Sequence, residues 1–315
     1  MKNRLLSVQN DNLPTLTHNW SKMVNVFLLS QDVRKTSKNT YQRGLRQFLT
    51  WFEQKAIKNP VREDILDYKA YLADQELSSL TVSNYMVVVR KFFEWMEGMK
   101  YYPNIAKGIK GMKRVKGFRK DPLTVSQIKE LLNSIDRTTI QGKRDFAMLN
   151  LLVRTGLRTI EVVRANIDDI RQEGGEAVLW IQGKGRDTKD DFVMLTPATL
   201  NPIREYLSAR KAKDTYPLFT SLSDRNTDER ITTRSVSWIV KEHLRGIGLD
   251  DSRLTAHSLR HTSITLALQG GATIQEAQAL GRHSDINTTL VYAHNINRIK
   301  HAAERNIDDV LSGQV

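Results

Sequence analysis

The sequence has 315 residues, with 48 Lys plus Arg against 35 Asp plus Glu, which gives a formal net charge of +13 at neutral pH. This length suits two domains of ordinary size, and the excess positive charge favours a polyanionic partner such as nucleic acid. The absence of cysteine excludes disulfides, thiolate nucleophiles and cysteine-based metal sites, and no apolar run has the length of a signal peptide or a membrane span.

The first predicted region is a helical domain over residues 19 to 105. Apolar residues recur at helical spacing in four stretches between Trp20 and Met96. The fourth stretch has Ser79 as a start signal and Gly98 as a stop signal. No cluster of acids, bases or nucleophiles occurs here, so we expect this domain to contact a partner rather than to perform chemistry.

A basic connector is predicted over residues 106 to 122. Its segment KGIKGMKRVKGFRK holds seven basic residues and three glycines with little periodicity. An exposed, solvated connection is the simpler interpretation. Its place between two folded segments favours a strap along a phosphate backbone, because Lys and Arg gain affinity by releasing counterions. The expected DNA-binding residues are Lys107, Lys110, Lys113, Arg114, Lys116, Arg119 and Lys120.

The third region, residues 123 to 300, is predicted to be mainly helical with a small antiparallel sheet. A capped helix begins at Thr124, and the segments 177–182 and 191–195 are typical of two strands of a hairpin with a long polar loop. Helices then resume from Leu200 onward, and a last helix is expected over residues 301 to 315. The predicted fold class is therefore mainly α with a small antiparallel β-sheet in the second domain.

Four separated motifs in this region contain arginine, lysine, histidine and tyrosine. They are Thr-Gly-Leu-Arg-Thr-Ile-Glu at 155–161, Gly-Lys-Gly at 183–185, His-Ser-Leu-Arg-His at 257–261, and His283 followed nine residues later by Tyr292 in the frame TTxxYxH. Planar Arg donors suit the charge that develops on phosphate oxygens. By itself, Arg158 is more often an ion-pair partner of Glu161, one helical turn away. In order and type the four motifs resemble the tyrosine site-specific recombinases of the phage integrase family.

The resemblance implies a two-domain, C-shaped DNA clamp that cleaves and rejoins DNA at specific sites through a 3′-phosphotyrosyl intermediate. The outcome would be integration, excision or resolution, without metal or nucleotide cofactor. The implied catalytic residues are Arg158, Lys184, His257, Arg260, His283 and the nucleophile Tyr292, with Glu161 in support.

Each implied role has a chemical reason. Arg158 and Arg260 stabilise the phosphate charge, while His257 and His283 hydrogen-bond its oxygens. His257 is also expected to help remove the tyrosine proton. A free phenol has a pKa near 10, so we expect the positive charges around the tyrosine to lower its pKa.

Two further roles follow from the resemblance. Lys184 would protonate the departing 5′ oxygen, with Lys189 on the same loop as a rival. Glu161 would orient Arg or His residues of the site.

Alternatives remain at three points. His257 and His261 have a helical metal-ligand spacing, but the expected carboxylate and third ligand are missing nearby, so no metal is predicted. The family usually has Gly directly before its second histidine, whereas this chain has Arg282. We expect Arg282 to contact phosphate or to pair with Asp285. At the level of function, a type IB topoisomerase-like enzyme and a DNA-binding regulator without turnover are the rivals.

The expected partners are double-stranded DNA target sites and further copies of the chain, from dimer to tetramer on DNA. Accessory DNA-bending proteins are a partner class that the resemblance allows. We expect a cytoplasmic protein, nucleoid-associated when bound to DNA and without membrane contact. Apolar residues from Ile296 to Val310 predict one helical stripe, which packs either on its own domain or, as the resemblance implies, on a neighbouring subunit.

Overall fold

The computed structural model describes residues 20–113, 121–183, 185–212, 216–223, 227–300 and 302–312. The chain divides into two compact units, Met1–Lys116 and Gly117–Val315. Several predicted functional residues lie outside the described residues, namely Lys184, Arg114, Lys116, Arg119 and Lys120.

The first unit is a four-helix domain. Its helices are α1 (Trp20–Ser30), α2 (Lys35–Gln54), α3 (Arg62–Asp74) and α4 (Ser79–Gly98). The side chain of Ser78, one residue before the predicted start signal, caps α4 by accepting the backbone N–H of Thr81 at 3.2 Å. Aromatic residues from all four helices fill the core, as in the edge-on contact of Phe48 with Tyr68 at 5.0 Å between ring centroids.

The second unit is larger and mainly helical. Its elements are α5 (Val125–Asn133), α6 (Ile140–Thr155), α7 (Thr159–Arg164), β1 (Ile170–Glu173), β2 (Glu176–Ile181), β3 (Asp191–Met194), α8 (Pro197–Arg210), α9 (Thr233–Gly246), α10 (Ala256–Gln269), α11 (Ile274–Gly281), α12 (Ile286–Lys300) and α13 (Ala303–Leu311). The predicted cap of α5 is present, because Thr124 accepts the backbone N–H of Gln127 at 3.2 Å. The predicted fold class, mainly α with a small antiparallel sheet, is confirmed.

The sheet has three antiparallel strands in the order β1, β2, β3. Strands β2 and β3 are the predicted hairpin, paired from Val178 with Met194 to Ile181 with Asp191. The sequence pattern missed β1, which is short and mostly polar and exposed. It joins β2 through a two-glycine turn in which Gly174 and Gly175 both have positive φ.

Two central helices place the site residues of this unit. The buried helix α6 packs against α8 and α10, and its C-terminus is capped by Gly156 in the left-handed conformation. The chain then turns directly into α7, which begins with Arg158 as its N-terminal cap residue. Among the described residues, no helix is long and apolar enough to cross a membrane.

The C-terminal segment differs from the prediction. Helix α13 lies within the range predicted for the last helix, residues 301 to 315, but the apolar stripe expected to run along one helix from Ile296 to Val310 is divided between α12 and α13. On α13 the apolar side chains Ile307, Val310 and Leu311 are 58%, 66% and 80% exposed. The described part of the second unit therefore does not cover the apolar face of α13.

Candidate active site

Tyr292 lies on α12 and is held inside the second unit. Only 4% of its surface is exposed, and its hydroxyl is 2.5 Å from Nδ1 of His261 on α10. Its ring stacks at 6.1 Å on the ring of His283, and it packs with Ile264 and Ala277 in a small apolar cluster. The hydroxyl is thus satisfied by an imidazole, as a buried phenol requires.

Burial sets the protonation of this tyrosine. Removal from water raises the pKa of Tyr292 to about 12, while the positive charge of Arg260 acts in the opposite direction. Arg260 thus acts on this pKa in the predicted direction, but the expected net decrease is not found because the effect of burial is larger. The phenol is fully protonated at neutral pH and donates or shares its proton with His261.

Two histidines, His261 and His283, contact Tyr292, and a third, His257, contacts His261. Burial, followed by the charges of His257, Arg260 and His283, lowers the pKa of His261 to about 4. Burial and the nearby arginines, with His257, likewise lower the pKa of His283 to about 4, and its Nδ1 is 2.9 Å from Oγ1 of Thr289. His257 is exposed and its ring meets that of His261 edge-on at 4.6 Å. His261 and His283 are neutral at neutral pH.

The role of His261 was missed by sequence reasoning, which considered this residue only as a metal ligand. The signal available was its position next to Arg260 and one turn from His257. That spacing places the two imidazoles on one face of α10. Only the tertiary packing of α12 shows that His261 contacts the tyrosine.

Arg260 is buried beneath this cluster, with 2% of its surface exposed. Its Nη1 donates to the carbonyl oxygen of Gly156 at 2.5 Å, and its Nη2 donates to that of Gly281. Gly281 also lies against the ring of His283, since an added Cβ there would come within 2.9 Å of ring carbon Cε1. Burial, then repulsion from Arg158 and Arg282, lowers the pKa of Arg260 to about 9.

Arg158 and Glu161 form the ion pair that their spacing suggested. Glu161 is fully buried, its Oε1 accepts from Nη1 of Arg158 at 2.8 Å, and its Oε2 accepts the backbone N–H of Arg158 at 2.7 Å. One carboxylate therefore caps α7 and holds the arginine side chain. The Arg158 side chain remains 27% exposed and accessible to a ligand.

Arg282, the departure from the family pattern, joins the same cluster. Its Nη2 is 3.1 Å from Oε2 of Glu161, so the expected pairing with Asp285 is wrong. It occupies the left-handed region at φ 47°, ψ 48°, where it ends α11. The turn before His283 is therefore formed with an arginine in a conformation that glycine favours.

The hairpin between β2 and β3 carries the two lysines considered as proton donors. The Lys189 ammonium is 2.5 and 2.6 Å from the two carboxylate oxygens of Asp169, which is 1% exposed. Lys184 lies outside the described residues. The connector residues Lys107, Lys110 and Lys113 are exposed on the first unit, which leaves them free for solvent or a ligand.

The structure thus brings together most of the predicted site. A cationic cluster of Arg158, Arg260 and Arg282 around one buried carboxylate adjoins the phenol of Tyr292 and its imidazoles. Such a cluster suits the binding of an anion with several oxygens. The hydroxyl of Tyr292 beside it is a group that can act as a nucleophile.

Comparison with known proteins identifies two family models along the chain. The model of the phage integrase family matches residues 122–298, and the model described as phage integrase, N-terminal SAM-like domain, matches residues 26–98. A tyrosine recombinase XerD of Listeria monocytogenes serotype 4b is 30% identical over 275 residues, which is 83% of this chain and 89% of the relative. A tyrosine recombinase XerC of Caldanaerobacter subterraneus is 38% identical over 176 residues, covering 55% of this chain and 46% of the relative.

Solved structures have the same fold. The XerH site-specific recombinase in a post-cleavage complex with a palindromic difH substrate superposes with a TM-score of 0.71 at 22% identity, over 90% of this chain and 84% of that one. A lambda integrase dimer bound to a COC′ core site superposes with a TM-score of 0.68 at 13% identity, over 87% of this chain and 76% of that one.

Proposed function

Since the chain belongs to the phage integrase family of tyrosine recombinases, it is an enzyme that breaks and rejoins DNA in site-specific recombination, and we propose that Tyr292 is its nucleophile. Membership of this family argues against the alternative that the chain is a DNA-binding regulator without catalytic activity. The observation that supports Tyr292 most directly is its placement, in contact with two histidines and beside the buried Arg260. We also propose the division into a DNA-gripping domain at 19–105, a connector at 106–122 and a catalytic domain at 123–300.

The proposed step exchanges one phosphodiester for another. The Tyr292 oxygen forms a bond to phosphorus, the bond from phosphorus to the 5′ oxygen breaks, and the phosphate stays on the 3′ end of the cut strand. The phenol loses a proton and the 5′ oxygen gains one. A 5′ hydroxyl from a second strand reverses the exchange, so bond energy is conserved without a nucleotide cofactor.

Arg158 and Arg260 are proposed to hold the non-bridging oxygens of the scissile phosphate. The two side chains are fixed in advance, Arg158 by Glu161 and Arg260 by two backbone carbonyls. A guanidinium has five N–H groups, so both side chains retain donors for phosphate. Donors that are already positioned stabilise the five-coordinate transition state without a reorganisation cost.

The histidines are proposed to handle the phenol proton and the remaining phosphate contacts. His261 holds the hydroxyl, and a low pKa keeps its imidazole neutral and able to accept a proton. His257 is exposed beside it and is proposed to bond a phosphate oxygen and to assist deprotonation. His283 is proposed to bond another oxygen through the nitrogen that does not contact Thr289.

Lys184 is proposed as the general acid that protonates the 5′ oxygen. The alternative proton donor, Lys189, is already engaged, because its ammonium contacts both carboxylate oxygens of the buried Asp169. This contact favours Lys184 as the general acid. Withdrawing Lys189 would leave an unpaired buried carboxylate, which is costly. The position of Lys184 between Gly183 and Gly185 suits a loop that approaches a backbone closely.

A trapping experiment tests the nucleophile. A duplex is first selected for binding from a randomised library, and a nick is then moved one nucleotide at a time across its centre. Cleavage near the nick releases a short fragment and traps the protein on DNA. We expect a covalent adduct on a denaturing gel with the wild type and none with Tyr292→Phe. Adduct formation by Tyr292→Phe protein would move the nucleophile to another residue.

The assembly on DNA is proposed to use α13. Its exposed apolar side chains Ile307, Val310 and Leu311 need a partner, and the second unit has a groove of about 830 Å³ between α5, α6, β3 and α10. The groove contains the exposed Phe192 and Met194 of β3, with Lys129 and Arg154 beside them. Because α13 also carries three acidic residues and one basic residue, we propose that it docks into this groove on a second copy.

The docking proposal has a matched pair of variants. Ile307→Asp with Val310→Asp removes apolar contacts and makes the charge more negative by two, whereas Arg305→Gln with Ser312→Asp makes the same charge change on the opposite side of the helix. We expect the first pair to abolish cooperative binding to paired sites while half-site binding persists. Equal cooperativity of the two double variants would refute the docking of α13.

A further inference from the structure

Arg282 stands in a conformation that is unfavourable for its residue type. It ends α11 at φ 47°, ψ 48°, a region that few residues other than glycine and asparagine adopt. Its side chain is 9% exposed, and its Nε is buried without a hydrogen-bond partner among the described residues. Arg282 adds a third guanidinium to a site that already holds Arg158 and Arg260, and burial lowers the pKa of Arg282. Unfavourable features that persist together in this way are typical of functional sites.

The contacts of Arg282 join the two arginines proposed to bind phosphate. Its Nη2 donates to Glu161 at 3.1 Å and to the carbonyl oxygen of Gly156 at 2.9 Å. Glu161 holds Arg158, and the same Gly156 carbonyl oxygen accepts from Arg260 at 2.5 Å. In return, the main-chain carbonyl oxygen of Arg282 accepts from Nη2 of Arg158 at 3.1 Å.

This arrangement could not be formed by the glycine that the family usually has at this position. Glycine would supply the turn and the carbonyl oxygen, but it would leave Oε2 of Glu161 with only the backbone N–H of Arg158. The cluster would also lose one of three positive charges around a single carboxylate. Arg282 therefore changes both the rigidity and the charge of the site.

We propose that Arg282 is a positioning residue, which clamps Glu161 and Arg158 so that the guanidinium of Arg158 is fixed for the scissile phosphate. The inference rests on the proposed function, in which Arg158 and Arg260 bind that phosphate. Its effect should appear in the cleavage step and should depend on the negative charge of the phosphate.

The test compares Arg282→Gly and Arg282→Lys with a matched control, Lys211→Gly. Lys211 also ends a helix in the left-handed conformation, at φ 54°, but it is exposed at the end of α8. The control therefore reports what relief of backbone strain and loss of one charge do by themselves. Thermal unfolding and DNA affinity are measured for every variant on the duplex selected above.

On nicked duplex with saturating protein, we expect Arg282→Gly to cleave about 10- to 100-fold more slowly, the range for groups that orient a charged ligand. DNA affinity should stay within about threefold, since Arg282 is proposed to hold Glu161 and Arg158 rather than to contact DNA itself. Arg282→Lys keeps the charge, but one ammonium nitrogen has to replace two guanidinium nitrogens that donate to three separate acceptors, Glu161 and the carbonyl oxygens of Gly156 and Leu280. We therefore expect it to remain closer to Arg282→Gly than to wild type. Lys211→Gly should cleave at the wild-type rate.

A neutral methylphosphonate at the scissile position separates positioning from general damage to the fold. With that substrate the ratio of wild-type to Arg282→Gly rates should fall towards one, because there is less charge to stabilise. Wild-type rates for Arg282→Gly, or an equal loss on both substrates, would overturn the inference. Should Arg282→Gly not fold, a wild-type rate for Arg282→Lys would overturn it. Absence of adduct with the wild type would instead refute the proposed function.

Discussion

Removing the charge of Glu161 should destabilise the second unit far more than its role as a helix cap explains. In Glu161→Gln the amide can still accept the backbone N–H of Arg158, so the cap persists. What is lost is the carboxylate shared by Arg158 and Arg282, whose side chains are 27% and 9% exposed. Removing one partner of a buried ion pair costs about 3 to 5 kcal/mol, and we expect the lower end because Arg158 is partly solvated.

Glu276 provides a matched control. It occupies the equivalent position in the capping box of α11, where its Oε2 accepts the backbone N–H of Thr273 at 2.7 Å, but it is exposed and has no arginine partner in the described contacts. Glu276→Gln should cost less than about 1 kcal/mol. For a unit of this size, each kcal/mol shifts the midpoint of thermal unfolding by about 2 to 4 °C.

We therefore expect Glu161→Gln to lower the midpoint by roughly 6 to 12 °C and Glu276→Gln by less than about 4 °C. Thermal unfolding of the full chain measures both, with hydrogen exchange of α10 peptides identifying the transition of the second unit. Equal shifts in the two variants would refute the claim that this carboxylate holds the arginine cluster.

Four further outcomes are expected. Arg260→Ala should slow cleavage by about 100-fold or more on ordinary DNA but much less on methylphosphonate DNA, and equal losses would remove its phosphate role. Lys184→Ala should be rescued by sulfur at the 5′ bridging position, since a thiolate leaves without a proton; a variant equally slow on both substrates contradicts the acid assignment. Replacing the connector lysines Lys107, Lys110 and Lys113 by Gln should make the slope of the logarithm of the DNA-binding constant against the logarithm of salt concentration shallower by about three units. An unchanged slope would exclude contacts of these lysines with the DNA backbone. The pKa values of His261 and His283 lie near 4 in the folded protein, below the usual 6.5. As pH falls from 6.5 to 4, these histidines therefore bind protons in the unfolded chain before they do so in the folded protein. Stability should therefore decrease from about pH 6.5 to 4, and His261→Gln should flatten that decrease; an identical pH profile would argue against a buried neutral imidazole.

Much of this architecture could be predicted from local patterns, because helix stripes, capping residues and family motifs are encoded in short segments. Strand β1 was missed because Ile170–Glu173 is short and mostly polar, so it has no apolar alternation to detect. The division of the last helix was missed because apolar spacing continues across the break between α12 and α13.

The details of the site depend on packing that no local pattern records. The high pKa of Tyr292 comes from burial, whose effect is larger than the lowering of the pKa by the neighbouring positive charge of Arg260. The extent of burial could not be read from the sequence. His261 meets the phenol only because α12 packs against α10. Arg282 pairs with Glu161, distant in sequence, instead of with the nearby Asp285.

The most direct test of the account is to locate the covalent bond itself. Adduct trapped on nicked DNA is digested with protease and nuclease, and the peptide that retains a nucleotide is sequenced by mass spectrometry. We expect a single modified peptide in which the Tyr292 oxygen is bonded to a 3′ phosphate. A phosphate on any other side chain, or a bond to the 5′ end of the cut strand, would contradict it.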